Sequence, residues 1–246
     1  MDGEVLEIDM GNTRLKWRLL NAKGGRIDGG ALSYDQVVLW SALLSDISSS
    51  GANQIVCVRV ASVASVRRLD ELRDWCRESF SVEPVVAAVK KDHAGVRVGY
   101  DEFSVLGVDR WLGMLAAHQL NPEGVLVIDC GSAITIDILR GGCHAGGYIV
   151  PGLRLMAGAL FRDTDAIKVD WSDGGQTSPG RNTAQAVNHG LLLMAASFIV
   201  EVQARENLPR LILTGGDATA LAAVLCVENL VVPELVLDGL RFSAER

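Results

Sequence analysis

The first residues that could do chemistry surround a glycine near the start of the chain. Asp9 ends an apolar run, Gly11 follows it, and Asn12 and Thr13 add short polar side chains before Lys16. A glycine turn exposes several backbone N–H groups in one concavity that attracts anions, and without a Cβ it admits phosphate oxygens. A carboxylate beside that concavity can hold a cation, directly or through water. This set of residues predicts a loop that binds a polyphosphate together with a cation.

A second copy of the pattern lies 120 residues further along the chain. Residues 5–11 align with residues 125–131, and six of sixteen aligned positions from residue 5 onward are identical. Asp129 then stands at the position of Asp9, and Gly131 and Ser132 form the turn. One strand that ends in Asp-x-Gly is common, because Asp and Gly are ordinary turn residues. Two such strands, each leading into a returning strand, indicate a duplicated domain whose two loops face each other and bind one nucleotide triphosphate.

A third glycine turn follows the apolar run Leu211–Leu213. It reads Thr214-Gly215-Gly216-Asp217 and precedes a helical stretch over Ala218–Leu225. Paired glycines between a strand and a helix allow a flat base or ribose to lie against the backbone. Alone this turn is weak evidence, since such turns are common in α/β connections.

Strand and helix patterns alternate between these loops, which favours α/β layers. The sequence predicts strands over Val5–Asp9, Arg14–Leu19, Gln54–Val60, Val125–Asp129, Ala133–Leu139, Leu211–Leu213 and Leu235–Leu237. It predicts helices over Leu69–Phe80, Trp111–Gln119, Leu153–Phe161 and Thr183–Glu206, with a short one after Asp217.

The turn cluster Asn121–Gly124 is the point where a second half could begin. We therefore expect two tandem domains, residues 1–121 and residues 122–246.

Composition excludes several classes of protein. The 246 residues are 49% hydrophobic and 22% charged, which supports a buried core and argues against disorder. Lys and Arg number 23 against 30 Asp and Glu, whereas a protein that binds nucleic acid would show the opposite balance. The longest uncharged apolar run, Leu191–Val200, is short beside the roughly 20 residues that span a bilayer, and the acidic start is no signal peptide. We expect no nucleic-acid or membrane partner and a cytoplasmic location.

The five cysteines and four histidines are scattered and include no C-x-x-C pair. A structural zinc site needs two tight ligand pairs, and only Cys143 and His144 are adjacent. Neighbours on a strand point to opposite faces, so that pair is incidental. Reduced, mostly buried thiols in a reducing compartment are the better interpretation.

Taken together, the motifs resemble those of type III pantothenate kinases over nearly the whole chain. In chain order they are Asp9-x-Gly11-Asn12-Thr13-x-x-Lys16, Gly107-Val108-Asp109-Arg110, Asp129-x-Gly131-Ser132-Ala133-x-Thr135-x-Asp137, Gly147-Tyr148-Ile149-x-Pro151-Gly152 and Thr214-Gly215-Gly216-Asp217. The resemblance implies two ribonuclease-H-like domains of the actin-like ATPase superfamily with ATP in a cleft between them. It implies phosphorylation of the 4′-hydroxyl of pantothenate, the first step towards coenzyme A.

The resemblance also implies roles for individual residues. ATP would contact Asp9, Met10, Gly11, Asn12, Thr13, Arg14, Leu15 and Lys16, and also Ser132, where the family usually has Thr. Pantothenate would contact Tyr100, Gly107, Val108, Asp109, Arg110 and Thr183. Asp109 would accept the proton, Asp129 would bind potassium or ammonium, and Asp9 could meet Mg²⁺ through water. The family's members are homodimers.

Elementary electrostatics is consistent with these roles for Asp109 and Arg110. Asp109 starts a predicted helix beside Arg110, and both the helix N-terminus and the guanidinium favour an ionised carboxylate. Arg110 can pair with the carboxylate of pantothenate in a bidentate way. The alternative for an isolated Asp-Arg pair is a helix cap and a surface charge.

Two further functions remain open on the sequence. The chain could be a regulatory or accessory homologue that has lost catalysis, or a kinase of the same superfamily that acts on another hydroxy acid or sugar. Intact Asp9, Lys16, Asp109, Arg110 and Asp129 argue against the first. A substrate panel assayed with and without potassium separates all three.

Overall fold

A computed structural model describes residues 3–34, 39–51, 54–172 and 175–243. Contacts divide the chain into two units, of which the first comprises Met1–Lys90, Glu102–Ala116 and Val236–Arg246. The second comprises Lys91–Asp101 and Ala117–Leu235. The domain boundary expected at residue 121 stays a prediction.

Twelve strands and seven helices lie in the described part of the chain. The strands are β1 (Glu4–Met10), β2 (Arg14–Leu20), β3 (Arg26–Ser33), β4 (Ile55–Ser62), β5 (Val85–Val86), β6 (Asp92–His93), β7 (Val96–Arg97), β8 (Gly124–Cys130), β9 (Ala133–Arg140), β10 (Cys143–Pro151), β11 (Leu211–Thr214) and β12 (Asn229–Val231). The helices are α1 (Leu39–Ser49), α2 (Val66–Phe80), α3 (Val108–Leu120), α4 (Leu153–Asp163), α5 (Thr183–Glu206), α6 (Ala218–Val224) and α7 (Leu235–Ser243), and a 3₁₀ turn covers Phe103–Val105.

The first unit is built on a five-stranded sheet in the order β3-β2-β1-β4-β5. β1 is antiparallel to β2 and parallel to β4, so it lies in the middle of the sheet. Leu6, Ile8 and Met10 alternate along β1 and are fully buried on one face. They pack in a cluster with Leu43 of α1 and Leu72 of α2, so the period-2 pattern of β1 is that of a sheet face covered by helices.

The second unit repeats this arrangement within a seven-stranded sheet, ordered β12-β11-β8-β9-β10-β7-β6. Its segment β10-β9-β8-β11-β12 has the order and the strand directions of the first sheet, with β8 in the place of β1. This repetition agrees with the duplicated α/β fold predicted from the sequence. Helices α4, α5 and α6 contribute to the core on one face.

The strand register shows where the two halves differ. Asp9 lies opposite Lys16 in the first hairpin, whereas Asp129 lies opposite Thr135 in the second. The first turn is therefore one residue longer. An unbroken shift of 120 residues pairs Leu19 with Leu139, and that alignment is wrong beyond the turn.

Most predicted elements are confirmed, and one is wrong. The predicted strand Leu235–Leu237 is the first turn of α7, because a short apolar run fits a buried helix as well as a strand. The strands β3, β10 and β12 and the helix α1 were not predicted. Only two of the five cysteines are buried, so the expectation of mostly buried thiols is also wrong.

Helix α5 is the one described helix whose length and composition would suit a membrane span. Long core helices of soluble proteins have the same length and composition, so this helix is weak evidence for a membrane span. The absence of a membrane partner stays a prediction.

Candidate active site

The first glycine loop lies at the carboxyl end of β1. Asp9 is buried and has Lys16 beside it on β2 and Ala61 beside it on β4. The N–H of Gly11 donates to the carbonyl of Arg14 at 3.2 Å and closes the turn. Asn12, like Thr13 and Arg14, is exposed. The turn therefore presents a row of polar side chains to solvent while the neighbouring carboxylate stays inside.

Two local contacts fix this loop. A Cβ on Gly11 would lie 3.2 Å from the carbonyl oxygen of Arg14, so the turn leaves little room for a side chain. The carbonyl of Met10 accepts from the N–H of Val63 at 3.1 Å, which ties the end of β1 to the segment after β4. The loop is thus held from both neighbouring strands.

The second glycine loop lies at the equivalent end of β8. The N–H of Gly131 donates to the carbonyl of Ala133 at 3.0 Å, and Ser132 at the tip is exposed. Asp129 is half-buried between Thr135 of β9 and Thr214 of β11. The two loops thus share an Asp-x-Gly corner at the end of equivalent strands, β1 and β8.

Glycines surround the carboxylate of Asp129. Gly215 has φ +96°, and a Cβ there would overlap Oδ1 of Asp129 and the backbone of Cys130. A Cβ on Gly131 would lie 3.2 Å from the same oxygen. Gly152 donates its N–H to the carbonyl of Ser132 at 3.0 Å. Asp129 therefore lies in a cradle that any larger residue would fill.

The third glycine turn joins this cradle, while its predicted contact with a base or ribose stays a prediction. The N–H of Asp217 donates to the carbonyl of Cys130 at 3.0 Å. Its carboxylate accepts from Nε1 of Trp171 at 3.1 Å and lies 3.8 Å from the guanidinium of Arg154. Neither Trp171 nor Arg154 was singled out in the sequence, because both approach from distant segments without a local motif.

Burial, with smaller contributions from Asp129 and Asp217, raises the pKa of the Cys130 thiol far above its ordinary value. This cysteine next to the second loop therefore stays protonated and unreactive near neutral pH.

Gly107 to Arg110 form the start of α3 in the first unit. Oδ1 of Asp109 accepts from the N–H of Arg110 at 2.8 Å, and the carbonyl of Gly107 accepts from the N–H of Trp111 at 3.0 Å. A Cβ on Gly107 would lie 2.6 Å from Oδ1 of Asp109, so glycine permits this close approach. Val108 is the first helical residue. Arg110 is buried, which rules out the simple surface charge considered above.

Thr183 is the first residue of α5, and the sequence before it explains why the helix starts there. The side chain of Asn182 accepts from the N–H of Gln185 at 2.9 Å, and Gln185 Oε1 accepts from the N–H of Arg181 at 2.9 Å. This reciprocal pattern caps a helix N-terminus. Thr183 lies on the rim of a groove of about 610 Å³ whose apolar wall includes Leu160 and Met194.

Tyr100 belongs to the second unit and lies on a histidine. Its ring stacks on His144 of β10 with centroids 5.5 Å apart and planes at 29°. Lys91 Nζ donates to the carbonyl of Tyr100 at 3.0 Å. Cys143, the neighbour of His144, points away and is exposed, as strand alternation predicts.

The donor set restricts which cations fit. Among the described residues no group of three or more His, Cys, Asp or Glu side chains could hold a metal ion. A transition-metal centre therefore lacks its ligands in this part of the chain. A single carboxylate in a glycine cradle suits a weakly held cation, and a carboxylate beside bound phosphates suits hydrated Mg²⁺.

The duplicated sheet with two glycine loops defines the class of actin-like ATPases and sugar kinases. A glucokinase of the ROK family from Streptomyces griseus, in complex with glucose and AMPPNP, has this fold (TM-score 0.50, 12% identity, 97% of this chain and 98% of that one). An activator of 2-hydroxyisocaproyl-CoA dehydratase from Clostridium difficile also has it (TM-score 0.54, 13% identity, 98% and 92%). The family model of type III pantothenate kinase matches residues 5–205. A type III pantothenate kinase from Pseudomonas paraeruginosa is 37% identical over 250 residues, which cover 97% of this chain and 98% of that protein. The chain therefore belongs to the type III pantothenate kinase family.

Proposed function

We propose that this chain transfers the γ-phosphoryl group of ATP to the 4′-hydroxyl of pantothenate. The observation that carries the proposal is the family match over residues 5–205, together with relatives of that name along 97% of the chain. The chain is an enzyme, and its relatives' names give no support to a role without catalysis.

ATP phosphates would be bound by the glycine loops of both units. In the first, the backbone of Gly11 and Asn12, the exposed side chains of Thr13 and Arg14, and the ammonium of Lys16 supply donors and positive charge. Met10 and Leu15 pair across the base of the turn and hold its shape. In the second, the exposed hydroxyl of Ser132 supplies one more donor. Phosphoryl transfer depends mainly on positioning and charge neutralisation, which is what such loops provide.

Asp109 would accept the proton of the attacking 4′-hydroxyl of pantothenate. The hydroxyl oxygen would form a bond to the γ-phosphorus of ATP while the bond between that phosphorus and ADP breaks. The place of Asp109 in the first turn of α3 favours the ionised carboxylate, and the N–H of Arg110 holds one oxygen in place. The buried guanidinium of Arg110 would pair with the carboxylate of pantothenate. Gly107 and Val108 would contact the substrate through their backbone.

Two cations are part of the proposal. Asp129, in its glycine cradle, would hold potassium or ammonium, and Asp9 would meet Mg²⁺ through water. When bound, these ions neutralise phosphate charge in the transition state.

Tyr100 and Thr183 would complete pantothenate binding, and the chain would act as a homodimer. Support for a dimer comes from α5, which exposes 48% of Leu193 and 51% of Met194, since large exposed apolar side chains on one helix mark interaction sites. Met194→Glu is expected to shift the sedimentation coefficient from dimer to monomer.

A cytoplasmic location is also proposed. All five cysteines lie in the described residues and are free of disulfides, as is usual in a reducing compartment.

Asp109→Asn tests the proposed reaction. Loss of the base is expected to lower kcat for pantothenate by a factor of about a hundred or more, while ATP affinity measured by calorimetry stays within about twofold of wild type. Asp70→Asn, at an exposed position on α2 paired with Arg73, is the matched control and should turn over normally. A wild-type rate in Asp109→Asn would exclude it as the base, and a wild-type enzyme that phosphorylates another hydroxy acid or a sugar in preference would exclude the substrate.

A further inference from the structure

One residue outside the family motifs holds the segment that carries Tyr100. The N–H of Gly99 reaches Nδ1 of His144 at 3.5 Å, and the Tyr100 ring lies on the same imidazole. A Cβ on Gly99 would overlap the carbonyl oxygen of His144, so the backbone also packs closely there. Three contacts with the side chain or backbone of His144 thus fix Gly99 and Tyr100.

His144 is itself held by a buried carboxylate. Its Nε2 lies 3.0 Å from Oδ1 of Asp137, and both side chains are almost completely buried. Among the described residues, Nε2 of His144 has no hydrogen-bond partner of acceptable geometry, so its contact with Asp137 is mainly electrostatic. Because Nδ1 accepts from Gly99, the nitrogen that carries a proton is Nε2, the one nearer Asp137. The carboxylate therefore favours the tautomer that the Gly99 contact requires.

The strand register explains how His144 reaches this carboxylate. Asp137 of β9 lies opposite Gly147, and Leu139 lies opposite His144, with a bulge between His144 and Gly146 on β10. Gly147 has no side chain to fill the space above Asp137. The imidazole of His144, whose partner Leu139 lies two positions along β9, can therefore lie over Asp137. Bulges commonly redirect a side chain in this way.

We propose that His144 is a positioning residue: aligned by Asp137, it sets the place of Gly99 and Tyr100 and thereby the affinity for pantothenate. The kinetic consequence rests on the proposed function, in which Tyr100 contacts the substrate. His144 is buried and touches substrate in no step.

Kinetics of three variants test the proposal. His144→Leu removes the ring and the acceptor, and it is expected to raise KM for pantothenate about tenfold, the factor that about 1.4 kcal/mol represents, with kcat and KM for ATP within about twofold. His144→Asn keeps an acceptor near the Nδ1 position and should recover part of that affinity. Gly99→Ala attacks the same contact from the loop, because its Cβ would collide with the carbonyl of His144, so it should reproduce the effect if His144→Leu folds poorly.

A double-mutant cycle separates positioning from general structure. In a Tyr100→Ala background, His144→Leu should change KM for pantothenate by less than about twofold, because interacting residues are non-additive. Ile138→Val, a buried change on β9 outside this cluster, is the control for stability and should leave KM unchanged. An equal effect of His144→Leu with and without Tyr100, or an equal rise in KM for ATP, would overturn the positioning role.

Hydrogen exchange gives a readout that needs no substrate. Amides of residues 98–101 should exchange faster in His144→Leu and Gly99→Ala than in wild type, and Ile138→Val should match wild type. Unchanged exchange would refute the positioning of this segment even in an active kinase. Wild type without pantothenate kinase activity would instead refute the proposed function while the exchange result still decides the role of His144.

Discussion

The two glycine loops occupy equivalent places in two sheets that share an order of five strands, yet their surroundings differ. The first turn is one residue longer, exposes Asn12 and Thr13, and has a lysine opposite its aspartate. The second has a threonine opposite its aspartate and is walled by glycines from distant segments. Duplication supplied the Asp-x-Gly corner twice. In the proposed function both loops would bind phosphate, the first with more positive charge and the second with a monovalent cation on its aspartate.

The strands beneath the loops differ as well. Glu7 of β1 is fully buried, with Arg18 Nε at 2.7 Å and Arg59 Nη1 at 3.0 Å. Arg18 also pairs with Asp238 of α7 at 2.6 Å. Burial opposes the charge of Arg18, but its bonds to Asp238 and Glu7 outweigh burial and raise its pKa. The equivalent of Glu7 on β8 is the buried Val127, which lies opposite Asp137 of β9. The second sheet therefore has the buried pair of Asp137 and His144 at this level, where the first has an ionic layer of two arginines around one glutamate and a charged link to α7.

The largest effect is expected from breaking this layer. Glu7→Gln leaves Arg18 and Arg59 without their buried counter-charge and should lower the free energy of unfolding by about 3 kcal/mol. Urea denaturation followed by tryptophan fluorescence measures this change in the free energy of unfolding. Glu71→Gln makes the same change in an exposed pair with Arg67 and should alter stability by less than about 0.5 kcal/mol. Equal effects of the two variants would mean that the buried layer contributes no more than a surface pair.

A smaller effect is expected from the glycines, and it should differ between the loops. Gly215→Ala forces a Cβ into a left-handed backbone and against Asp129, and it should destabilise the chain by about 2 kcal/mol. Gly11→Ala meets only the Arg14 carbonyl at 3.2 Å, and its loss of stability should stay below about 1 kcal/mol. Thermal unfolding compares them directly. If Gly11→Ala proves the more damaging, the second loop is not the more tightly walled of the two.

Both loops could be predicted because their information is local. An apolar strand, an Asp-x-Gly corner and a returning strand are contiguous, and the start of α5 at Thr183 follows from the cap at Asn182. The walls of the second loop could not be predicted, because Gly215 reaches Asp129, and Gly152 reaches the backbone of Ser132, only through the register of separate strands. A sequence motif identifies such glycines but does not predict which residues they contact.

Two exposed strands could not be predicted, for a different reason. β3 and β10 are largely exposed, carry adjacent glycines and lack apolar alternation, so no periodic signal marks them. The contact between His144 and Asp137 depends on a bulge in β10, which no pattern in the chain foreshadows. The strand predicted over Leu235–Leu237 is the start of α7, because three consecutive apolar residues suit a buried helix as well as a strand.

The residues opposite the two aspartates give the smallest and most direct test of the comparison. Lys16→Met removes a charge beside the first loop and should raise KM for ATP about tenfold, since hydrogen bonds to charged groups contribute about 1.5–3 kcal/mol. Thr135→Val removes only a hydroxyl beside the second loop and should raise KM for ATP about threefold at most. Its larger effect should be on the potassium concentration needed for half activation. Lys23→Met, in an exposed turn of the first unit, controls for loss of net charge and should match wild type. Equal rises in KM for ATP at the two positions would show that the loops share phosphate binding evenly and have not diverged in the ions they serve.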